Sequence, residues 1–325
     1  MRLATLDNQT HDGCLVVVSP DAERYLAADG IATTLQAALD DWDQAKPALR
    51  ALDDRLQAGQ GVKLDVGRLL APLPRAWQWL DGSAYPNHGE LMQKAFGLPP
   101  IETDKPLMYQ GMSHRFLSAT EDVPFPSEAD GIDFEGEFGV ITGDVPMGCT
   151  ASAALDHILL VVLINDWSLR AIAPIEMKTG FGWVQAKPAC SIAPFAVSPD
   201  ALGEGWANGR VDAVLRTSIN GTLFGEVPGA AEMAFGFHDL IAHAAHSRAL
   251  PAGTIIGSGT VSSKNYAKTG SSCLSEKRAI DAIRHDPLTP FLRFGDRITV
   301  SAQVANGTTF GTMDQHVVRM RRLPD

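Results

Sequence analysis

Residues 131–140 have the sequence GIDFEGEFGV, in which apolar and acidic side chains alternate. Successive side chains of a β-strand point to opposite faces, so this alternation predicts a strand. One face would carry four apolar side chains, Ile132, Phe134, Phe138 and Val140. The other face would carry three carboxylates, Asp133, Glu135 and Glu137. The stretch therefore indicates a fold rich in β-structure with an acidic face on this strand.

Two explanations fit the acidic face. The three carboxylates could point to solvent from an ordinary half-exposed strand. They could instead bind a metal ion, because neighbouring carboxylates repel one another unless a cation lies between them. Ligands made only of oxygen favour Mg²⁺, Mn²⁺ or Ca²⁺ over zinc. Glu135 and Glu137, two residues apart in the chain, can both reach one such ion.

A further acidic residue, Asp166, directly follows the apolar stretch 158–164. An acid at the end of a buried segment is poorly placed for plain solvation. It could be another metal ligand, or it could be a polar residue at the end of a helix that makes local hydrogen bonds. The sequence leaves both explanations open.

Elsewhere in residues 73–325 the pattern predicts more strands than helices. Residues 211–219 alternate and end at Asn220-Gly221, a strong hairpin signal, and residues 294–304 alternate as well. Thr150 or Ser152 could cap a helix that runs towards Ile164, and residues 237–246 fit a short helix. Because strands and helices do not alternate regularly, we expect a mainly β, α+β fold and not a doubly wound parallel sheet.

The first 72 residues form a separate predicted unit. Residues 14–18 fit a short apolar strand. Residues 35–42 and 48–56 fit two helices, and Pro47 between them is expected to end the first. Residues 70–75, rich in proline, are a plausible linker. We therefore predict a small N-terminal α/β domain at 1–72 and a larger domain at 73–325.

Bulk composition excludes several classes of protein. The chain has 325 residues, 45% hydrophobic content and a formal net charge of −11. An acidic chain is a poor partner for nucleic acid or an anionic membrane, which both require clustered Lys and Arg. The four cysteines are scattered without a C-x-x-C pair, which is typical of free thiols in a reducing compartment. With no long apolar run at the N-terminus or elsewhere, we expect a cytoplasmic protein.

Three segments together resemble motifs of the fumarylacetoacetate hydrolase family. DFEGE at 133–137 resembles D-[YF]-E-x-E, NDWSLR at 165–170 resembles N-D-x-S-x-R, and SGTVS at 258–262 resembles S-G-T-[IV]-S. The resemblance covers about residues 70–320, and the N-terminal unit is similar to the small domain of longer members. It implies a mixed β-roll or β-sandwich catalytic domain and a homodimer.

The resemblance also implies roles for single residues. It implies that Mg²⁺, Mn²⁺ or Ca²⁺ is bound by Glu135, Glu137 and Asp166. It implies that His114 activates water, that Glu276 orients His114, and that Lys187 is the active-site lysine. Positions that resemble substrate-binding ones are Tyr109, Arg170 and Thr260. The substrate would be a small keto acid.

Three positions depart from the family pattern. The family has a further metal-binding Asp two residues before the tyrosine, where this chain has Leu107. Ala173 and Met177 replace the family's Gln and Tyr. We therefore expect hydrolysis of a C–C bond in a dioxo acid of the fumarylacetoacetate or acylpyruvate type. Two alternatives stay open: a 2-keto acid lyase (oxaloacetate decarboxylase or 2-keto-4-pentenoate hydratase type) with the same metal site, and a metal-binding scaffold whose active site has decayed.

Overall fold

The fold is described from a computed structural model, which covers residues 1–97, 99 and 103–321, without the side chain of Phe96. In chain order the strands are β1 (Arg2–Leu6), β2 (Cys14–Val18), β3 (Arg24–Ala27), β4 (Val62–Lys63), β5 (Trp79–Gly82), β6 (Met108–Gly111), β7 (Val123–Phe125), β8 (Ile132–Asp133), β9 (Gly136–Thr142), β10 (Ile158–Asn165), β11 (Ser168–Leu169), β12 (Ser191–Ile192), β13 (Ala196–Val197), β14 (Trp206–Ala207), β15 (Arg210–Val211), β16 (Ala213–Ile219), β17 (Thr222–Pro228), β18 (Ile255–Gly257), β19 (Arg297–Val304) and β20 (Thr309–Arg319). The α-helices are α1 (Leu35–Asp40), α2 (Trp42–Gln57), α3 (Pro86–Phe96), α4 (Ala151–Ala154), α5 (Ala173–Thr179), α6 (Phe237–Ala244), α7 (Tyr266–Thr269) and α8 (Leu274–Arg284).

One large sheet runs through the whole molecule, in the order β4-β3-β2-β1-β13-β10-β9-β18-β5-β6. The N-terminal strands join it through β1, where Arg2 lies opposite Val197 of β13. The predicted unit 1–72 therefore shares a sheet with the rest of the chain. The boundary at residue 72 stays a prediction.

A second sheet has the order β17-β16-β19-β20-β7 and packs on the large sheet. Buried side chains from both sheets, among them Phe138, Leu215 and Val300, belong to one hydrophobic core. The expected mainly β, α+β architecture is confirmed. The hairpin between β16 and β17 is also confirmed: Asn220 and Gly221 have φ angles of 51° and 79°, as a type I′ turn requires.

Two helix predictions were wrong. The helix that begins after Thr150 ends at Ala154, and residues 158–165 form strand β10 between β9 and β13. An apolar run buried on both faces looks the same in a central strand as in a buried helix, and its β-branched residues favour the strand. Pro47 does not end a helix either; it lies inside α2, while the break falls at Asp41.

Five neighbouring strands of the large sheet bring together the residues that matter for function. The order β10-β9-β18-β5-β6 places the end of β10 near Glu137 on β9 and Asp81 on β5. Asp81 lies opposite both Gly257 on β18 and Tyr109 on β6. Among the residues described, no helix has the length and apolar character needed to cross a bilayer.

Candidate active site

The acidic segment is inside the protein. Every residue from Ile132 to Thr142 is buried, so the solvent-facing strand is excluded. The segment is also not one continuous strand, because β8 ends at Asp133 and β9 begins at Gly136. The three carboxylates differ in their contacts: Asp133 and Glu135 share Arg170, whereas Glu137 has no hydrogen-bond partner among the described residues.

Asp81, Glu137 and Asp166 form what we call the carboxylate cluster. One oxygen from each lies within 4.8 Å of the others, and all three side chains are buried. Both oxygens of Glu137 lack a hydrogen-bond partner within the described structure. Burial, together with the negative charges of Asp81 and Asp166, raises the pKa of Glu137 well above its ordinary value. A buried carboxylate without partners, facing two others, fits a hard divalent cation as the missing partner.

Asp81 was not among the predicted ligands. The family pattern has its additional metal-binding Asp at the position of Leu107 in this chain, and the Leu107 side chain is 43% exposed. The structure supplies an acid from the neighbouring strand instead, since Asp81 lies opposite Tyr109 in the β5–β6 pair. The signal in the sequence was an acid directly after apolar Trp79-Leu80, the same arrangement that drew attention to Asp166.

A glycine-rich turn after β18 holds Asp81 in place. The backbone N–H of Gly259 donates to Asp81 Oδ1 at 3.0 Å. Gly259 has a φ of +75°, and a Cβ there would lie 2.3 Å from the carbonyl oxygen of Gly82. Only glycine fits such a position. The predicted substrate-binding residue Thr260 is the next residue and is buried; its substrate role stays a prediction.

Asp166 is the most heavily contacted member of the cluster. Its Oδ2 accepts hydrogen bonds from Tyr109 Oη and Lys187 Nζ, both at 2.6 Å. The Cys190 thiol donates to its Oδ1 at 3.0 Å. Asp166 follows a strand and is fully buried, so the explanation as a helix-end residue was wrong. Burial and the charge of Asp166 raise the pKa of Tyr109 and of Cys190.

Glu135 lies beside the carboxylate cluster and has partners of its own. It accepts hydrogen bonds from Ser168 Oγ and Lys187 Nζ, each at 3.0 Å, and from Arg170. Although burial raises it, the positive charges of Arg170 and Lys187 hold the pKa of Glu135 below its ordinary value. Of the three predicted ligands, Glu137 and Asp166 are in the cluster. Lys187 links Glu135 to it.

Arg170 and Asp133 connect the acidic segment to a helix. Arg170 Nε donates to Asp133 Oδ2 at 2.8 Å, while another guanidinium nitrogen contacts Glu135. Asp133 also accepts the backbone N–H groups of Leu274 and Ser275, at 2.7 and 2.9 Å, in the first turn of α8. The Arg170 fork thus contacts protein carboxylates. Its expected grip on a substrate carboxylate stays a prediction.

Helix α8 brings Glu276 to a histidine, but not to the predicted one. Glu276 Oε2 lies 3.4 Å from His88 Nδ1, and Ser262 Oγ donates to Glu276 Oε1 at 3.1 Å. Asn87 in turn donates to Ser262 Oγ at 2.7 Å. His114 is exposed, and the described contacts include none between its side chain and Glu276. The structure thus brings Glu276 to His88 and not to His114, and the role of His114 stays a prediction.

His88 sits in the first turn of α3, which packs against α8 through buried Leu91, Ala279 and Ile280. Glu276 lies in the first turn of α8, where Asp133 accepts two N–H groups, and Glu135 pairs with Cys273 just before that helix, so the pair of His88 and Glu276 lies next to the acidic segment. The site therefore combines a buried carboxylate cluster, a lysine and a histidine oriented by a carboxylate. This set can bind a cation, stabilise a developing negative charge and move a proton.

The chain matches known protein families along most of its length. A model of the fumarylacetoacetate (FAA) hydrolase C-terminal region matches residues 78–318, and a model of fumarylacetoacetase N-terminal domain 2 matches residues 1–75. The 2,4-didehydro-3-deoxy-L-rhamnonate hydrolase of Sphingomonas sp. (strain SKA58) is 26% identical over 164 residues. That match spans 50% of this chain and 54% of the relative, about half the length of each.

Solved structures share the fold over nearly the whole chain. A probable 2-hydroxyhepta-2,4-diene-1,7-dioate isomerase from Mycobacterium abscessus has a TM-score of 0.68 at 20% identity, with 99% of both chains covered. Maleylpyruvate hydrolase from Sphingobium sp. SYK-6, solved with manganese(II) and pyruvate, has a TM-score of 0.68 at 17% identity, with 99% of this chain and 100% of that chain covered. The chain belongs to the fumarylacetoacetate hydrolase family.

Proposed function

We propose that this protein is a divalent-metal-dependent hydrolase that cleaves a carbon–carbon bond in a dioxo acid of the fumarylacetoacetate or acylpyruvate type. One observation carries the proposal: the carboxylate cluster, with its partnerless Glu137, is joined through Lys187 to Glu135, and Glu135 pairs with Cys273 beside the His88–Glu276 pair. Such a combination is what hydrolysis of a carbonyl compound by an activated water requires.

Asp81, Glu137 and Asp166 would hold Mg²⁺ or Mn²⁺, or Ca²⁺, because all their donor atoms are oxygens. When bound, the ion would polarise the two oxygens of a β-dicarbonyl group and favour the enolate form of the leaving group. The manganese and pyruvate in the maleylpyruvate hydrolase structure are consistent with this choice.

His88 would act as the general base. Glu276 beside Nδ1 favours the tautomer with the proton on that nitrogen, which leaves Nε2 free to accept a proton from water. Ser262 and Asn87 hold Glu276 in this orientation through a chain of hydrogen bonds. The histidine and carboxylate thus act as a unit, in which Glu276 stabilises the imidazolium that forms.

The bond changes balance. Water loses a proton to His88, and its oxygen forms a bond with the carbonyl carbon. The adjacent C–C bond then breaks, and its electron pair enters the leaving group as an enolate. His88 returns the proton to that carbon. Lys187 keeps its positive charge next to the site, because burial is outweighed by Asp166 and Glu135, which raise its pKa. It would offset the enolate's charge.

Two other functions remain as alternatives. An oxaloacetate decarboxylase would use the same carboxylate cluster without a nucleophilic water, so it would not depend on His88, whereas a hydratase would add water to a double bond and would break no C–C bond. A decayed scaffold was suggested by the departures at Leu107, Ala173 and Met177, but Asp81 supplies an acid to the carboxylate cluster. The His88–Glu276 pair favours the hydrolase over both.

A substrate panel tests the proposal. The protein with Mn²⁺ is incubated with fumarylacetoacetate, several acylpyruvates and oxaloacetate, and each product is identified. We expect hydrolysis of a dioxo acid, with a loss of about 10²- to 10⁴-fold in kcat for His88→Asn and little loss for His114→Asn. Decarboxylation that persists in His88→Asn would favour the lyase, and no turnover of any substrate would favour the scaffold.

We also propose that the protein is a homodimer. Ile175, Met177, Phe181 and Val184 are all at least 62% exposed and lie on α5 and the loop after it. Exposed apolar side chains grouped in this way are typical of an interaction surface. Light scattering after gel filtration should give twice the mass of one chain. Phe181→Asp should shift the protein towards the monomer, and an unchanged dimer would place the interface elsewhere.

A further inference from the structure

The His88–Glu276 pair has a third neighbour that the proposed reaction does not use, the thiol of Cys273. The three side chains offer one nitrogen, one sulfur and one oxygen that all lie within 4.8 Å of one another. Cys273 and Glu276 are fully buried, and the side chain of His88 is 26% exposed. This donor set differs in chemistry from the all-oxygen carboxylate cluster.

We propose that His88, Cys273 and Glu276 form a second metal site, which binds Zn²⁺ or a similar thiol-seeking divalent ion and thereby blocks the enzyme. Thiolate and imidazole are preferred zinc ligands, whereas Mg²⁺ and Ca²⁺ prefer oxygen alone. An ion bound to His88 Nδ1 beside Glu276 would replace the proton there, and its positive charge would stop Nε2 from accepting a proton from water. The inhibitory effect rests on the proposed function, while binding of the ion does not.

The geometry is close to that of a three-ligand zinc site. Zn–S and Zn–N bonds of about 2.3 and 2.0 Å put tetrahedral ligands roughly 3.3 to 3.8 Å apart. Donor atoms separated by up to 4.8 Å here would each move inwards by about 1 Å or less to reach these distances. Side-chain rotation supplies such a shift, and the fourth position would stay open to water.

The local structure leaves the sulfur available as a ligand. Cys273 is the residue before α8, and its Sγ accepts the N–H of Glu276 at 3.3 Å. Ser, Thr, Asn and Asp are the residues favoured at a helix N-cap, and sulfur is a weak acceptor. Asp133 already accepts the two N–H groups that precede Glu276. Helix capping therefore does not explain a cysteine at this position.

Cobalt binding provides a test that needs no turnover. Co²⁺ replaces Zn²⁺ in sites of this kind, and a cobalt–thiolate bond absorbs in the near ultraviolet. Protein is first saturated with Mg²⁺ to fill the carboxylate cluster, and Co²⁺ is then added. We expect the thiolate band in the wild-type protein and in Cys190→Ser, and its loss in Cys273→Ser. Cys190 is the matched control, since it is the buried cysteine beside Asp166.

Serine at position 273 is a favoured cap, so this variant should stay folded, and thermal unfolding checks that it does. His88→Ala is a second variant, which leaves the thiol in place and should weaken cobalt binding by about 10- to 100-fold. A wild-type protein without the band, or a band lost in Cys190→Ser and kept in Cys273→Ser, would overturn the proposal.

Inhibition is measured next, for each variant relative to its own zinc-free rate with Mn²⁺. The zinc concentration for half-inhibition should rise by about 10- to 100-fold in Cys273→Ser and stay at the wild-type value in Cys190→Ser. Excess Mn²⁺ should not relieve the inhibition by zinc. If excess Mn²⁺ restored the activity of the wild type and of Cys273→Ser equally, zinc would lie in the carboxylate cluster and the proposal would be overturned. If no substrate is turned over, the proposed function fails, and the cobalt spectra still decide whether the site exists.

Discussion

The carboxylate of Glu276 lies 3.4 Å from His88 Nδ1, although the two residues are 188 positions apart in the chain. Replacing Glu276 by Gln keeps the size of the side chain and removes the charge that stabilises the imidazolium. We expect kcat to fall by about 10²-fold with little change in KM, because the interaction strengthens in the transition state. Steady-state kinetics would measure this. A KM that rises while kcat is unchanged would show that Glu276 acts on substrate binding instead.

Asp81 should contribute to metal affinity. In Asp81→Asn an uncharged amide replaces one anionic ligand of the carboxylate cluster, so we expect the affinity for Mn²⁺ to fall by about 10- to 100-fold. Isothermal titration calorimetry on metal-free protein provides the measurement. Asp156→Asn is the control, since Asp156 is exposed and outside the cluster. Equal affinities in both variants would remove Asp81 from the ligand set.

Without metal, the raised pKa of Glu137 should make stability depend on pH. A free carboxyl group titrates near pH 4.3, so above about that pH the unfolded chain loses a proton that the folded protein keeps. The folded state then binds more protons, and its stability falls as the pH rises, by at most about 1.4 kcal/mol per pH unit for one group.

Glu137→Gln removes this titration. Between about pH 5 and 8, the melting temperature of metal-free wild-type protein should fall more steeply than that of the variant. Mn²⁺ should raise the melting temperature of the wild type far more than that of Glu137→Gln. Thermal unfolding in the presence and absence of a chelator measures both effects. Parallel curves for the two proteins would show that Glu137 is not protonated in the folded, metal-free state.

Glu176 should control the loop that carries Lys187. Its carboxylate accepts the backbone N–H groups of Val184, Gln185 and Ala186 at 2.9 to 3.1 Å. In Glu176→Ala these bonds are lost, so we expect faster hydrogen exchange in residues 180–187 and a kcat reduced about 10-fold, as for other groups that hold a site residue in place. Lys178→Ala, on the same helix, is the control. Unchanged exchange would mean that other contacts fix the loop.

The sequence predicted features that depend on neighbouring residues better than contacts between residues far apart in the chain. The hairpin at Asn220-Gly221 comes from a local pattern, and the structure agrees with it. For Glu137 and Asp166 the local pattern left two explanations open, and their burial fits the metal site. Asp81 and His88 were missed because their partners lie far away in the chain. Asp81 reaches the carboxylate cluster only through the parallel pairing of β5 with β18.

Short apolar runs were the other source of error. Residues 158–164 have no periodicity that separates a buried helix from a central strand. The strand forms because β9 and β13 pair with it on either side. That information is carried by residues outside the run. The contact between Glu276 and His88 was missed for a similar reason, because no local pattern identifies which histidine a distant helix will meet.

The pairing of β1 with β13 affects which fragments of the chain can fold on their own. Arg2 and Leu3 pair with Val197 and Ala196, and β13 also pairs with β10, the strand that leads into Asp166. A fragment that began at residue 73 would leave β13 as an unprotected sheet edge beside the metal-binding strand. Such edges recruit strands from other molecules, so the fragment should self-associate and precipitate when it is expressed alone.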